Sequence, residues 1–137
     1  MATPPKKISG GLLPSILHMG AALRYSLQGL LAAARLSLSF RQELLVLVLL
    51  CGLLAFFCKP AWAWLLCLGG WSAVLVAELL NTAVEATLDL ISKDYSSVIR
   101  DAKDMCSAAV LILLFFSAAS WLYVFWPELL AGLALFS

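Results

Sequence analysis

The chain has 137 residues, about the size of one domain, and 64% of them are hydrophobic while 12% are charged. A soluble globular domain carries roughly a quarter charged residues, so this composition excludes an ordinary water-soluble fold and places the chain in lipid. The formal net charge is +1, and the basic residues ahead of the first apolar run lack the clustering and aromatic interleaving of a nucleic-acid surface, so no nucleic-acid partner is expected.

In chain order, residues 1–13 form a flexible lead-in with Pro4, Pro5, Lys6, Lys7 and two adjacent glycines. Residues 14–39 predict an amphipathic helix. Ile16, Leu17, Ala21, Leu27, Leu30, Leu31 and Ala34 recur at helical spacing, and Arg24, Gln28 and Arg35 mark a polar side. Such a helix suits a membrane surface, where arginine stems snorkel toward headgroups and His18 contacts them. Residues 43–59 hold an uncharged run from Leu44 to Cys58, short for a span but tolerable with Glu43 and Lys59 at the interface.

Residues 60–91 open with Trp62 and Trp64 at interface depth, stay uncharged to Ala77 and continue with good helix formers to Ile91. Too long to lie wholly in hydrocarbon, this helix should emerge into water. The tight gap at Lys59-Pro60 makes these two helices antiparallel neighbours, with Gly69-Gly70 permitting close packing. A polar connection, Ser92 to Asp101, leads to a third span, 103–127, with Trp121, Tyr123 and Trp126 at its far end. The expected fold is an all-α integral membrane domain of three transmembrane helices and an N-terminal surface helix.

Five basic residues, Lys6, Lys7, Arg24, Arg35 and Arg41, precede the first span, and Lys93, Arg100 and Lys103 lie between the second and third. Lys59 stands alone in the first turn. The positive-inside rule therefore places the N-terminus and the 92–103 connection in the cytoplasm. Cys51, Cys58, Cys67 and Cys106 match no zinc spacing and read as small buried hydrophobes.

Glu78, Asn81, Glu85 and Asp89 follow one another at intervals of three, four and four, on one face of the second span. Glu78 directly follows the apolar run, so its carboxylate carries a desolvation penalty unless it is paired or protonated. A structural polar network between helices would explain such a row. So would an acidic site with metal-binding carboxylates toward water. The antiparallel third span brings Lys103 and Asp104 near the level of Glu85 and Asp89, where lysine suits phosphate and carboxylates suit Mg²⁺ that keeps its waters; charge balance with Glu85 or Asp89 is the plainer role for Lys103. Glu78 has the setting for general-base work on a lipid hydroxyl. No known nucleotide-binding loop is present, and the residues leave transporter subunit, assembly factor and enzyme open.

The segments Glu78-Leu79-Leu80-Asn81-Thr82-Ala83-Val84-Glu85-Ala86 with Asp89, and Ala102-Lys103-Asp104-Met105-Cys106-Ser107-Ala108-Ala109-Val110, resemble the prokaryotic diacylglycerol kinases, a family that includes undecaprenol kinases. Phe40-Arg41-Gln42-Glu43 and Tyr25-Ser26 support the resemblance, which covers about residues 15–126. It implies a homotrimer with active sites at subunit boundaries, in the bacterial inner membrane, where MgATP phosphorylates a lipid hydroxyl. Glu78 resembles the family's catalytic base and Glu85 its metal ligand. Asn81, Asp89, Lys103 and Asp104 match residues around the nucleotide, Tyr25 and Ser26 the surface-helix contribution, and Ser107 a serine near the lipid.

The family usually has a second metal-coordinating glutamate where this chain has Ser37, and an arginine where it has His18. Glu43, a water or another carboxylate then completes the metal site, or activity is weakened. The Met105-Cys106-Ser107 context is closer to the diacylglycerol branch. The alternatives are undecaprenol or another lipid alcohol as substrate, or a non-catalytic lipid-binding relative.

Overall fold

In the computed structural model, residues 12–91 and 96–134 are described, with side chains from Met19 onward. Residues 1–11 of the lead-in and Lys93 of the sequence argument lie outside the described residues, as does the side chain of His18, whose backbone belongs to α1. Four helices occur in this part of the chain: α1 (Leu12–Leu36), α2 (Leu38–Phe56), α3 (Ala61–Ile91) and α4 (Ser97–Ala134). The chain divides into two compact units, Met1–Ala32 and Ala33–Ser137.

In the first unit, every described side chain of α1 is exposed. Leu23, Leu27, Leu30 and Leu31 make an apolar stripe, and Ser26 Oγ donates back to Ala22 O at 3.0 Å. The expected helix over 14–39 is interrupted at Ser37, because that residue is the N-cap of α2. Its backbone is extended (φ −103°, ψ 124°), and its hydroxyl accepts from the Phe40 N–H, satisfying one of the donors that a helix start leaves without a partner.

In the second unit, α2, α3 and α4 are each long and apolar enough to cross a membrane, at 19, 31 and 38 residues. At 1.5 Å per residue α2 is about 28 Å long, a close match to the hydrocarbon layer, and α3 and α4 reach about 46 and 57 Å, so their ends pass beyond it. Helix α3 packs extensively on α4 and less so on α2, while the backbones of α2 and α4 do not come together. Much of the outer surface is apolar, including Leu45, Val48, Leu65, Ile112 and Phe115, as a lipid-facing surface requires.

The α2–α3 turn closes with two bonds, Cys58 N to Ala55 O and Lys59 N to Leu54 O, both 3.0 Å. That is the Schellman pattern, and it requires left-handed backbone at Cys58, whose φ is 47°. Glycine normally fills this position. Just beyond, Lys59 Nζ donates to Val124 O and to Glu128 Oε1, both at 2.7 Å, and lies 4.6 Å from the centre of the Phe125 ring. A lysine in the first turn is thereby tied to the last part of α4. The adjoining core is Leu54, Ala63, Cys67 and Val124, flanked by Trp64, Leu66, Leu68, Trp121 and Phe125. All four cysteines are free thiols, but only Cys67 is buried as expected; Cys51 and Cys106 are half-buried, and Cys58, in the turn, is exposed.

Toward the middle of the pair, Gly70 of α3 faces Ser117 of α4 so closely that an added Cβ would sit 3.5 Å from the Ser117 Cα, whereas Gly69 faces open space. Only the second glycine of the pair permits close packing within this chain. Helix α4 begins at Ser97, ahead of its apolar run, and continues through Pro127 to Ala134. The helix outlasts the span at both ends because residues such as Arg100, Ala102 and Lys103, and later Glu128, Leu129 and Leu130, are good helix formers whatever their hydropathy.

Candidate active site

At the end of the α2–α3 hairpin away from its turn, the α1–α2 junction, α2, α3 and α4 enclose a cavity of about 470 Å³. Its polar lining is Ser37, Ser39, Glu43, Glu78, Asn81, Thr82, Glu85 and Ser107, and its apolar lining is Leu36, Leu38, Val110 and Leu114. The three-four spacing of Glu78, Asn81 and Glu85 sets all of them on the side of α3 that faces this space. Glu78 and Asn81 are 6% and 9% exposed.

Glu78 has a protein partner. Ser37 Oγ donates to its Oε1 at 2.8 Å while accepting from the Phe40 N–H at 3.0 Å. One turn further along α3, Asn81 Nδ2 donates to Glu85 Oε1 at 3.3 Å, which leaves Asn81 Oδ1 buried with no hydrogen-bond partner. Glu43 Oε2, from α2, is likewise buried and without a partner. The Trp71 indole N–H donates to the Glu43 carbonyl at 3.0 Å, fixing α2 against α3 at the level of this carboxylate.

Two unpartnered buried acceptors in a space with three carboxylates suit a cation or a donor-bearing ligand, since such atoms are costly to leave unmet. Among the described residues no three Asp, Glu, His or Cys side chains converge into a metal cage. Mg²⁺ does not ask for one. It is commonly held by one or two carboxylates together with phosphate oxygens and its own waters, and Glu43 and Glu85 both line this cavity.

Of the remaining residues singled out in the sequence, Ser107 lines the cavity. Asp89 and Lys103 are outside its lining and pair with each other, Nζ to Oδ1, at 2.6 Å on the surface, so charge balance between α3 and α4 is one role Lys103 performs. Asp104 is exposed and outside the lining. Tyr25 and Ser26 belong to the first compact unit and are exposed there.

Nothing in the sequence points to Ser37 as a partner of Glu78. Its sequence signal is that of a helix N-cap, serine ahead of a helical run, which says nothing about a carboxylate 41 residues away. Trp71 had a readable signal: an indole N–H inside a membrane span needs an acceptor.

Residues 24–125 match the family model for prokaryotic diacylglycerol kinase. The chain is 34% identical over 107 residues to a diacylglycerol kinase of Escherichia coli K12, covering 78% of this chain and 88% of the relative. It is 36% identical over 100 residues to one of Pseudomonas aeruginosa, covering 73% and 81%. A diacylglycerol kinase of Haemophilus influenzae is 32% identical over 106 residues, covering 77% and 90%. With three membrane-length helices, a carboxylate-lined cavity and matches over most of both chains, this protein belongs to the prokaryotic diacylglycerol kinase family.

Proposed function

We propose that this lipid kinase transfers the γ-phosphoryl group of MgATP to the hydroxyl of diacylglycerol at the cytoplasmic membrane interface, yielding phosphatidic acid. The observation that carries this reading is the buried Glu78 carboxylate in a hydroxyl- and carboxylate-lined cavity bordered by Val110 and Leu114. That border is suited to a substrate with a polar head and an apolar body.

In this reading Glu78 accepts the proton of the lipid hydroxyl as it attacks. Glu85 and Glu43 would hold a magnesium ion, which would supply neutralisation of the phosphate oxygens. Asn81 steadies Glu85 through its amide N–H and offers its free carbonyl oxygen to the nucleotide–metal complex. Lys103 leaves Asp89 to meet phosphate, with Asp89 and Asp104 taking up nucleotide contacts. Tyr25 and Ser26 contribute from the surface helix, and Ser107 touches the lipid headgroup. Active sites at subunit boundaries of a homotrimer in the bacterial inner membrane, with the N-terminus cytoplasmic, complete the proposal.

The replacement of the usual glutamate by Ser37 favours a second reading, a lipid-binding relative with little turnover. Purified protein given labelled ATP, magnesium and a panel of diacylglycerol, undecaprenol, ceramide and lipid A decides between them. The expected result is magnesium-dependent labelling of diacylglycerol that falls about 10²- to 10⁴-fold in Glu78→Gln, the usual worth of a general base. No labelling of any lipid by folded protein, or labelling indifferent to Glu78→Gln, would sink the kinase mechanism.

A further inference from the structure

Ser37 stands where α1 has ended and α2 has not begun, and its single hydroxyl is used twice. The oxygen accepts from the Phe40 N–H at 3.0 Å, and the proton is given to Glu78 Oε1 at 2.8 Å. The N-cap bond needs only an acceptor, which Asp, Asn, Thr or Ser supplies equally well. Capping and donating from one atom needs a hydroxyl.

We infer that Ser37 is a positioning residue for Glu78: its hydroxyl, held by the start of α2, binds Oε1 and orients the carboxylate so that Oε2 receives the substrate proton. This rests on the proposed role of Glu78 as the base and adds to it a device for holding it. Oε1 accepts the Ser37 hydrogen bond, and among the described residues Oε2 accepts none, so the two oxygens are not equivalent. In the transfer the lipid O–H bond breaks, its proton passes to Oε2, and the electron pair left on oxygen forms the new bond to the γ-phosphorus of ATP. The bond from that phosphorus to the bridging oxygen breaks, and ADP leaves with its electrons.

The opposing view is that position 37 is a metal-ligand position left without its charge. The two views predict opposite results for a carboxylate there. Ser37→Asp keeps the cap but replaces the donor with a second acceptor beside Glu78, so kcat should fall about ten- to hundredfold, the worth of a hydrogen bond to a charged group. Because the added carboxylate also repels the buried Glu78, its thermal midpoint should fall too, so kcat is read at a temperature where the variant remains folded. Ser37→Ala should show a similar fall in kcat with the KM for ATP unchanged, and Ser37→Thr, which keeps both bonds, should retain kcat within about threefold.

Each variant is assayed as purified full-length protein with diacylglycerol and MgATP, beside Glu78→Gln. A Ser37→Asp protein with higher kcat, or with a lower magnesium requirement, overturns the inference, as does a Ser37→Thr protein no better than Ser37→Ala. If Ser37→Ala keeps full kcat while Glu78→Gln is inactive, only the positioning role fails. If Glu78→Gln turns over normally, the assignment of the base itself fails.

Discussion

The contact between Gly70 and Ser117 sets how closely α3 approaches α4, and it can be probed with a graded series. A Cβ at position 70 would lie 3.5 Å from the Ser117 Cα, 3.6 Å from its Oγ and 3.7 Å from its Cβ. These are ordinary contact distances, so Gly70→Ala fits without displacement and also removes the backbone-entropy disadvantage of glycine in a helix, about 1 kcal/mol in aqueous hosts. Its thermal midpoint should be unchanged or higher. Gly70→Leu adds three further carbons against a Ser117 that is fully buried, and overpacking of this kind costs about 1–3 kcal/mol.

Because Glu78 is eight residues further along the same helix, about 12 Å away, the displacement should also lower kcat. Gly69→Leu is the internal comparison, since nothing lies within 4 Å of its added Cβ; it should be near neutral. Thermal unfolding in detergent micelles, followed by tryptophan fluorescence with turnover measured in parallel, reads all three. A Gly70→Leu protein as stable and active as Gly70→Ala would refute the close approach, and equal damage from Gly69→Leu would show that the contact is not specific to one face.

Two other predictions concern the turn and the surface pair. Cys58→Gly, at the left-handed residue of the Schellman turn, should stabilise the fold by about 0.5–1 kcal/mol, the steric relief outweighing the extra chain entropy of glycine in the unfolded state; an unchanged or lower midpoint would contradict the strain assigned there. Lys103→Met should leave the unfolding midpoint near its original value, as a surface ion pair contributes little, while raising the KM for ATP about tenfold or more. A stability loss with an unchanged KM would reduce Lys103 to charge balance with Asp89.

Much of this protein is legible from local pattern alone. Hydropathy and length pick out three spans because each span must satisfy its own backbone in lipid, whatever its neighbours do. Helical periodicity sets Glu78, Asn81, Glu85 and Asp89 on one face; the first three line the cavity, whereas Asp89 lies outside its lining and pairs with Lys103. The pairing of Asp89 with Lys103 was within reach as well, since a short connection between antiparallel helices brings them level.

The cavity itself depends on distance in the chain. Ser37 meets Glu78 across 41 residues, Trp71 reaches the Glu43 carbonyl across 28, and Lys59 reaches Glu128 across 69. Helical period and hydropathy report on each segment's own conformation and solvent. They carry no information about which side chain of another helix arrives opposite a given carboxylate. Only the packing of α2 and α4 on α3 decides that Glu78 accepts a hydrogen bond from Ser37, that Glu43 Oε2 is buried, and that Asp104, though next to Lys103, stays outside the cavity lining.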